Sequence, residues 1–291
     1  MCLLALAIGA SARWPLVIAS NRDEFHDRPT LPLRVWRTPA GATLMSGRDL
    51  RAGGTWLGCT QGGRIALLTN VRERAAAAGA SSRGDLPLRW LSGEETAAAF
   101  LAQTDPHAYG GCNLVLGDFR RGEWTWASNR AQPGSAPGPQ GIVKLASWQT
   151  QALSPGVYGV SNALLDTPWP KTQALKAAMA SALAAADACG EASALESLLW
   201  PALASRERAP WDYLPQTGID PALEHALSSA HVDLPERAYG TRCSTLIWVG
   251  GQTESGGFKA TVCEKSFVRT HEGSAPTPGD AVVRLDWEIS A

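Results

Sequence analysis

The second residue of this chain carries the parts of a nucleophilic reaction. Cys2 stands directly behind Met1. Methionine aminopeptidases accept a small side chain at that position, so the mature chain is expected to begin at Cys2, with a thiol and a free α-amine on one residue. The amine has a reference pKa of about 7.7–8.0 and the thiol one of about 8.5. A base that works near neutral pH then lies within reach of a nucleophile, the N-terminal-residue form of the nucleophile–base pair. A carboxylate-bearing stretch, Asn21-Arg22-Asp23-Glu24, can return close to that terminus. The bland alternative is a cysteine that only packs in a strand, since free cysteines are often buried.

The elements that would position these groups start at once. Leu3 to Ala10 is apolar, and Leu16-Val17-Ile18-Ala19 forms a matching second run. Two such runs about Ser11-Ala12-Arg13-Trp14-Pro15 predict a β-hairpin with a longer loop. Ala10-Ser11-Ala12 also fits the small-residue cleavage pattern of a secretory leader, but no Lys or Arg precedes a run that is short for one. The hairpin is therefore the expectation, and a cytoplasmic location with it.

Composition narrows the function classes. The chain has 291 residues, 45% hydrophobic and 18% charged, with a formal net charge of -1. That is an ordinary globular composition, read here as one domain over 1–291. The near-zero charge gives nothing for nucleic acid or an anionic membrane to hold, and no apolar stretch approaches the ~18 residues of a membrane span. The six cysteines are scattered without a Cys-x-x-Cys and are expected to be reduced thiols. The five histidines are equally dispersed, so neither a metal nor another cofactor is expected. The expected partner is a small molecule, substrate or ligand.

Further along, the residues from His26 to Arg37, with Pro29 and Pro32, read as extended loop. A turn at Gln61-Gly62-Gly63 separates two strand-like runs, one ending at Gly58 and the other covering Arg64 to Asn70. Arg72 to Arg83 reads as a loop. Ser92-Gly93-Glu94-Glu95 is a capping-box pattern ahead of an apolar helical stretch, and Ser193-Ala194-Leu195-Glu196 is a second one, opening a helix to about Ser205. Leu114 to Asp118 and Gly122 to Ala127 alternate as a strand pair, followed by a Pro/Gly-rich connection over 133–141. Strand signal resumes at Gly156 to Asn162. Pro170 suits the first turn of a helix over Thr172 to Ala188, and a shorter helix is expected from Pro221 to Ser229. Strands close the chain at Thr241 to Gly250, Gly257 to Cys263 and Val282 to Trp287. Strands in hairpins and helices in blocks, without β-α-β alternation, predict an α+β fold with antiparallel sheets.

Asn21-Arg22-Asp23-Glu24 behind Met-Cys, followed in order by Gly54-Thr55-Trp56-Leu57-Gly58, Thr69-Asn70-Val71-Arg72, Asp166-Thr167-Pro168-Trp169-Pro170-Lys171 and Tyr239-Gly240-Thr241-Arg242, resembles the NRDE family, also called the transport-and-Golgi-organisation-2 family. The resemblance implies an N-terminal-nucleophile hydrolase fold, a four-layer αββα sandwich. Within that superfamily the pattern is similar to the cysteine branch that contains bile-salt hydrolases and penicillin V acylases. It implies Cys2 as nucleophile, Asp23 as the carboxylate near its amine, Asn70 as the oxyanion-site asparagine, Asn162 as a second active-site asparagine, and Arg242 as a late arginine close to the nucleophile. That branch has an arginine beside the nucleophile where this chain has Ser20. Arg22 is read as pointing to the other strand face, and so is not expected to replace it. On their own, the Asp and two Asn are also ordinary turn residues, and a strand arginine usually faces solvent.

The chemistry expected is attack of Cys2 on a non-peptide amide or a thioester, through an acyl-enzyme. The alternative the resemblance implies is a non-catalytic binding or trafficking protein that uses the pocket for haem or a lipid-like ligand, with Cys2 as a ligand or a mere relic.

Overall fold

The computed structural model describes residues 2–73, 79–131, 143–252, 257–268 and 277–289. Met1, the 133–141 connection and positions 74–78 of the loop expected after Arg72 lie outside them. The chain opens with a hairpin of β1 (Cys2–Ile8) and β2 (Leu16–Phe25). A meander follows: β3 (Thr30–Arg37), β4 (Thr43–Asp49), β5 (Leu57–Thr60) and β6 (Arg64–Asn70). Two short helices, α1 (Asp85–Ser92) and α2 (Ala97–Ala102), precede β7 (Cys112–Asp118), β8 (Glu123–Ala131), β9 (Val143–Ala152) and β10 (Gly156–Val160). Helices α3 (Pro170–Cys189), α4 (Ser193–Ala204) and α5 (Pro221–Ala226) come next. The chain then returns to strands with β11 (Asp233–Leu234), β12 (Tyr239–Gln252), β13 (Phe258–Val268) and β14 (Thr277–Ile289).

All pairings between these strands are antiparallel and form two sheets. One runs β10-β1-β2-β12-β13-β14, with β11 beside β12, and the other runs in chain order from β3 to β9. Strand parity explains the layers. From β1, Leu4, Leu6 and Ile8 join Met45, Leu67 and Val115 of the second sheet in a core between the sheets. The alternate residues Leu3, Ala5 and Ala7 turn the other way, onto Leu175, Met179 and Leu199 of α3 and α4. The second sheet repeats this, its outer face placing Ala66, Leu68 and Leu114 against Leu86, Trp90 and Phe100 of α1 and α2. Helix, sheet, sheet and helix stack as four layers, the αββα sandwich expected. Because β1 and β2 are covered on both faces, their sequences are continuous apolar runs rather than alternating ones.

Three local readings are corrected. The stretch His26 to Arg37 is not all loop, for it contains β3, an edge strand of its sheet whose register slips between Leu31 and Arg34. Prolines are tolerated at such an edge because no ladder partner needs the missing N–H. The first capping box does not form. Ser92 ends α1 with its Oγ donating to Leu88 O at 2.8 Å, and the helix after it is capped by Thr96, whose side chain accepts from Ala99 N. The helix at Ser193 exists, but Ala192 precedes it without a side-chain cap, and Glu196 meets Arg284 instead of closing a box. Helix α3 starts with Pro170 in its first turn, as the sequence indicates.

Candidate active site

The four residues from Asn21 to Glu24 lie near the end of β2 and do four different things. Asn21 faces the helices. Its Nδ2 donates to Leu203 O and Ala230 O, both at 2.8 Å, and its Oδ1 accepts from Ser244 Oγ at 2.6 Å. Asp23 accepts at Oδ1 from Thr241 Oγ1 at 2.7 Å, and Thr241 in turn accepts from Val232 N at 2.9 Å. Glu24 lies 3.9 Å from Arg28, which is itself tied to Asp49. Arg22 is the cross-strand partner of Cys2, while Ser20 pairs with Leu4. Residues 20 and 22 are two apart and share a strand face, so the expectation that Arg22 points away is overturned: it stands beside the cysteine. Its guanidinium stacks over Trp56, 4.2 Å from the ring centre.

Cys2, Arg22, Asp23 and Asn70 line one cavity of about 540 Å³ between the ends of the two sheets. Cys2 is buried, and its carbonyl accepts from Ser161 Oγ at 3.2 Å. Burial pushes its thiol up. The Arg22 charge and the backbone N–H of Asp23, which hydrogen-bonds the sulfur, pull the other way, while the charge of Asp23 adds to the rise. The thiol is therefore protonated at neutral pH and needs a base to react.

The other two sequence candidates are not on the cavity wall. Asn162 is fully buried and bridges the sheets: its Nδ2 donates to Asn70 O at 2.9 Å, and its own carbonyl accepts from Arg72 N at 2.7 Å. It fixes the backbone that carries Asn70. Arg242 donates to the carbonyls of Phe25 (2.7 Å), His26 (3.1 Å) and Arg28 (3.2 Å), clamping the turn after β2. It lines a separate cavity of about 80 Å³ on the far side of Arg22.

The far wall of the main cavity depends on a backbone approach. A Cβ on Gly54 would lie 2.4 Å from the backbone of Gly84, which explains the glycine ahead of Thr55 and Trp56. Thr55 Oγ1 donates to Gly47 O at 2.8 Å and holds Trp56 against Arg22.

Behind Asp23 lies a buried charge cluster that sequence reading missed, although two of its members fall in quoted motifs. Arg72 pairs with Glu224, both almost fully buried, and stacks 4.9 Å from the ring centre of Trp169. Lys171 is buried and donates to Leu227 O at 2.9 Å. Burial lowers its amine to about 8, opposed first by the charge of Asp23. Against the usual 10.5, the unfolded chain holds a proton across this interval that the folded chain has lost. Folding stability from this group therefore rises between pH 8 and 10.5 and is lost as pH falls through 8. On going from the upper to the lower pH, Lys171→Met should gain about 3 kcal/mol relative to the unsubstituted protein. Urea titrations of both at each pH measure this, and a constant difference would show that the amine keeps its ordinary affinity for protons.

All six cysteines are free thiols. Among the described residues, no group of three or more His, Cys, Asp or Glu is placed to hold a metal ion, and no helix is long and apolar enough to cross a membrane.

Cys2, Asp23 and Asn70 line one cavity between two antiparallel sheets, which places this chain among αββα proteins with a cysteine-containing candidate site. It belongs to the family described as Transport and Golgi organisation 2, whose model matches residues 1–268. The human Transport and Golgi organization protein 2 homolog is 30% identical over 242 residues, covering 80% of this chain and 82% of that protein. The mouse homolog is 34% identical over 164 residues, 54% of this chain, so that the match spans about half (53%) of that relative's length. Two solved structures are similar at a TM-score of 0.45. One is a Caenorhabditis elegans N-acylethanolamine-hydrolyzing acid amidase ortholog (11% identity, 84% of this chain and 92% of that one). The other is a mutant conjugated bile acid hydrolase from Clostridium perfringens (7% identity, 100% and 98%).

Proposed function

We propose that this protein is an N-terminal cysteine hydrolase of small-molecule amides or thioesters. The observation that carries the reading is the convergence of Cys2, Asp23 and Asn70, from β1, β2 and β6, on one cavity. Removal of Met1 frees the α-amine of Cys2, which takes the thiol proton. Sulfur adds to the substrate carbonyl carbon, and the side-chain amide of Asn70 with nearby backbone N–H groups meets the oxyanion. One such donor is typically worth ~10²–10³ in rate. The intermediate collapses with cleavage of the C–N or C–S bond, and the ammonium returns its proton to the departing amine or thiol. The freed amine then takes a proton from water, whose oxygen attacks the thioester. The acid leaves and the thiol re-forms. Asp23 holds the terminal ammonium and stabilises its charge, as the third group of a triad does.

The raised thiol favours, taken alone, a second reading in which the pocket binds a small molecule without turnover. One experiment separates the two. The untagged protein is expected to lack Met1 by intact mass and, after incubation with a panel of small amides and thioesters, to show an acyl increment on the peptide that begins at Cys2. Retained Met1 blocks the amine and overturns the hydrolase. Loss of Met1 with saturable binding but no adduct and no product favours the second reading.

A further inference from the structure

We infer that Arg22 is the anchor for a carboxylate on the substrate, so that the cavity takes a small, polar, anionic acyl compound. The inference rests on the cysteine chemistry proposed above and names the class of molecule it acts on.

Arg22 is only 5% exposed, yet its Nη1 is buried without a hydrogen-bond partner. The nearest carboxylate oxygen of Glu24 is 4.0 Å from Nη2, an ion pair at its outer limit, and Glu24 is shared with Arg28 and with the backbone N–H of Phe25. A buried guanidinium with an unused donor is costly unless an anion completes it. The other cations on the cavity wall are engaged: Arg28 on Asp49, Arg51 on Asp27, and Arg83 on the carbonyl of Gly111.

Geometry adds to the charge. Stacking on Trp56 fixes the plane of the guanidinium, and its edge is the part that binds a carboxylate in two parallel hydrogen bonds. Directly paired residues of neighbouring strands have Cβ atoms roughly 5 Å apart, so a carboxylate on Arg22 lies within a few bonds of a carbonyl facing Cys2. The described wall also argues against a long acyl chain. Its apolar side chains are Trp56, Leu68, Ala52 and Ala80, set among glycine, serine and charged residues, with no apolar channel to receive one.

The test compares alkylation of Cys2 by iodoacetate, an anion, and by iodoacetamide, its neutral analogue, each followed by peptide mass spectrometry. The ratio of the two rates is divided by the same ratio for free N-acetylcysteine. Anchoring by Arg22 predicts a normalised preference for iodoacetate of about tenfold or more, lost in Arg22→Gln, and protection of Cys2 by succinate but not by succinamide. The unsubstituted protein alone decides the matter should the variant fail to fold. A normalised ratio of one or less, or protection by both diacid and diamide, overturns the anchor while leaving the cysteine reading intact. A preference unchanged in a folded Arg22→Gln protein overturns it too. Failure of Cys2 to react with either reagent overturns the cysteine reading, and the anchor with it.

Discussion

Replacing Cys2 with serine is expected to abolish turnover of any substrate that acylates the unsubstituted protein, by roughly 10⁴-fold or more in kcat, while the fold survives. Both halves follow from where the residue sits. The swap exchanges a polarisable, acidic nucleophile for a hydroxyl that the same amine deprotonates far less readily. Structurally it changes little. The strand is held by its register with β2 and by Ser161 Oγ on the Cys2 carbonyl, neither of which uses the side chain. The buried hydroxyl inherits the backbone N–H of Asp23 that now meets the sulfur, so a new unsatisfied group is avoided. The urea midpoint should thus move by no more than about 1 kcal/mol in stability. Steady-state turnover and a denaturation curve on the same sample check the two claims together. Undiminished turnover would move the chemistry off Cys2, whereas loss of activity with loss of the fold would make the residue a packing element.

What the sequence disclosed depended on how far each residue's role is local. The continuous apolar runs of β1 and β2 reflect burial on both faces, so the first hairpin was readable, and so was Pro170 at the start of α3. Helix α1 was not. It follows a Gly- and Ser-punctuated stretch and holds Pro87, and its amphipathic face (Leu86, Trp90, Leu91) gains meaning only against the second sheet. Strand β3 was hidden by a proline that an edge position excuses. At the site, Cys2, Asp23 and Asn70 come together because each lies at or near the end of a strand in a recognisable motif. Asn162 and Arg242 fall in equally recognisable stretches, yet serve the cavity from behind, by bonding backbone carbonyls and amides. Residue type cannot distinguish a side chain that lines a cavity from one that braces its wall. The Arg22 misreading was of another kind, because strand parity alone puts 20 and 22 on one face and the register then sets Arg22 opposite Cys2.

The largest effect on stability is expected from Arg72→Met, at about 3–5 kcal/mol. Arg72 and Glu224 are each about 4% exposed at the side chain, so neither charge has water to fall back on. Burial lowers the affinity of Arg72 for its proton, and the carboxylate of Glu224 opposes that. Removing the guanidinium leaves Glu224 with Thr217 as its remaining described partner, through the backbone N–H at 3.1 Å and the hydroxyl. A buried carboxylate held only by neutral donors must lose its charge or open the structure to water. The loss also has a direction in space. Arg72 N is bonded to the Asn162 carbonyl, and Asn162 Nδ2 to Asn70 O, so loosening Arg72 loosens the strand end that presents Asn70 to the cavity. Arg72→Met should therefore lower kcat as well as stability. In the double variant Arg72→Met with Glu224→Leu, no charge is stranded, and most of the lost stability should return, because buried pairs replaced by apolar groups of similar volume are often neutral. Urea denaturation of both single variants and the double variant gives the coupling. If the double variant is as unstable as the sum of the singles, the pair is not acting as a unit, and the cluster behind Asp23 is held by packing on Trp169 instead.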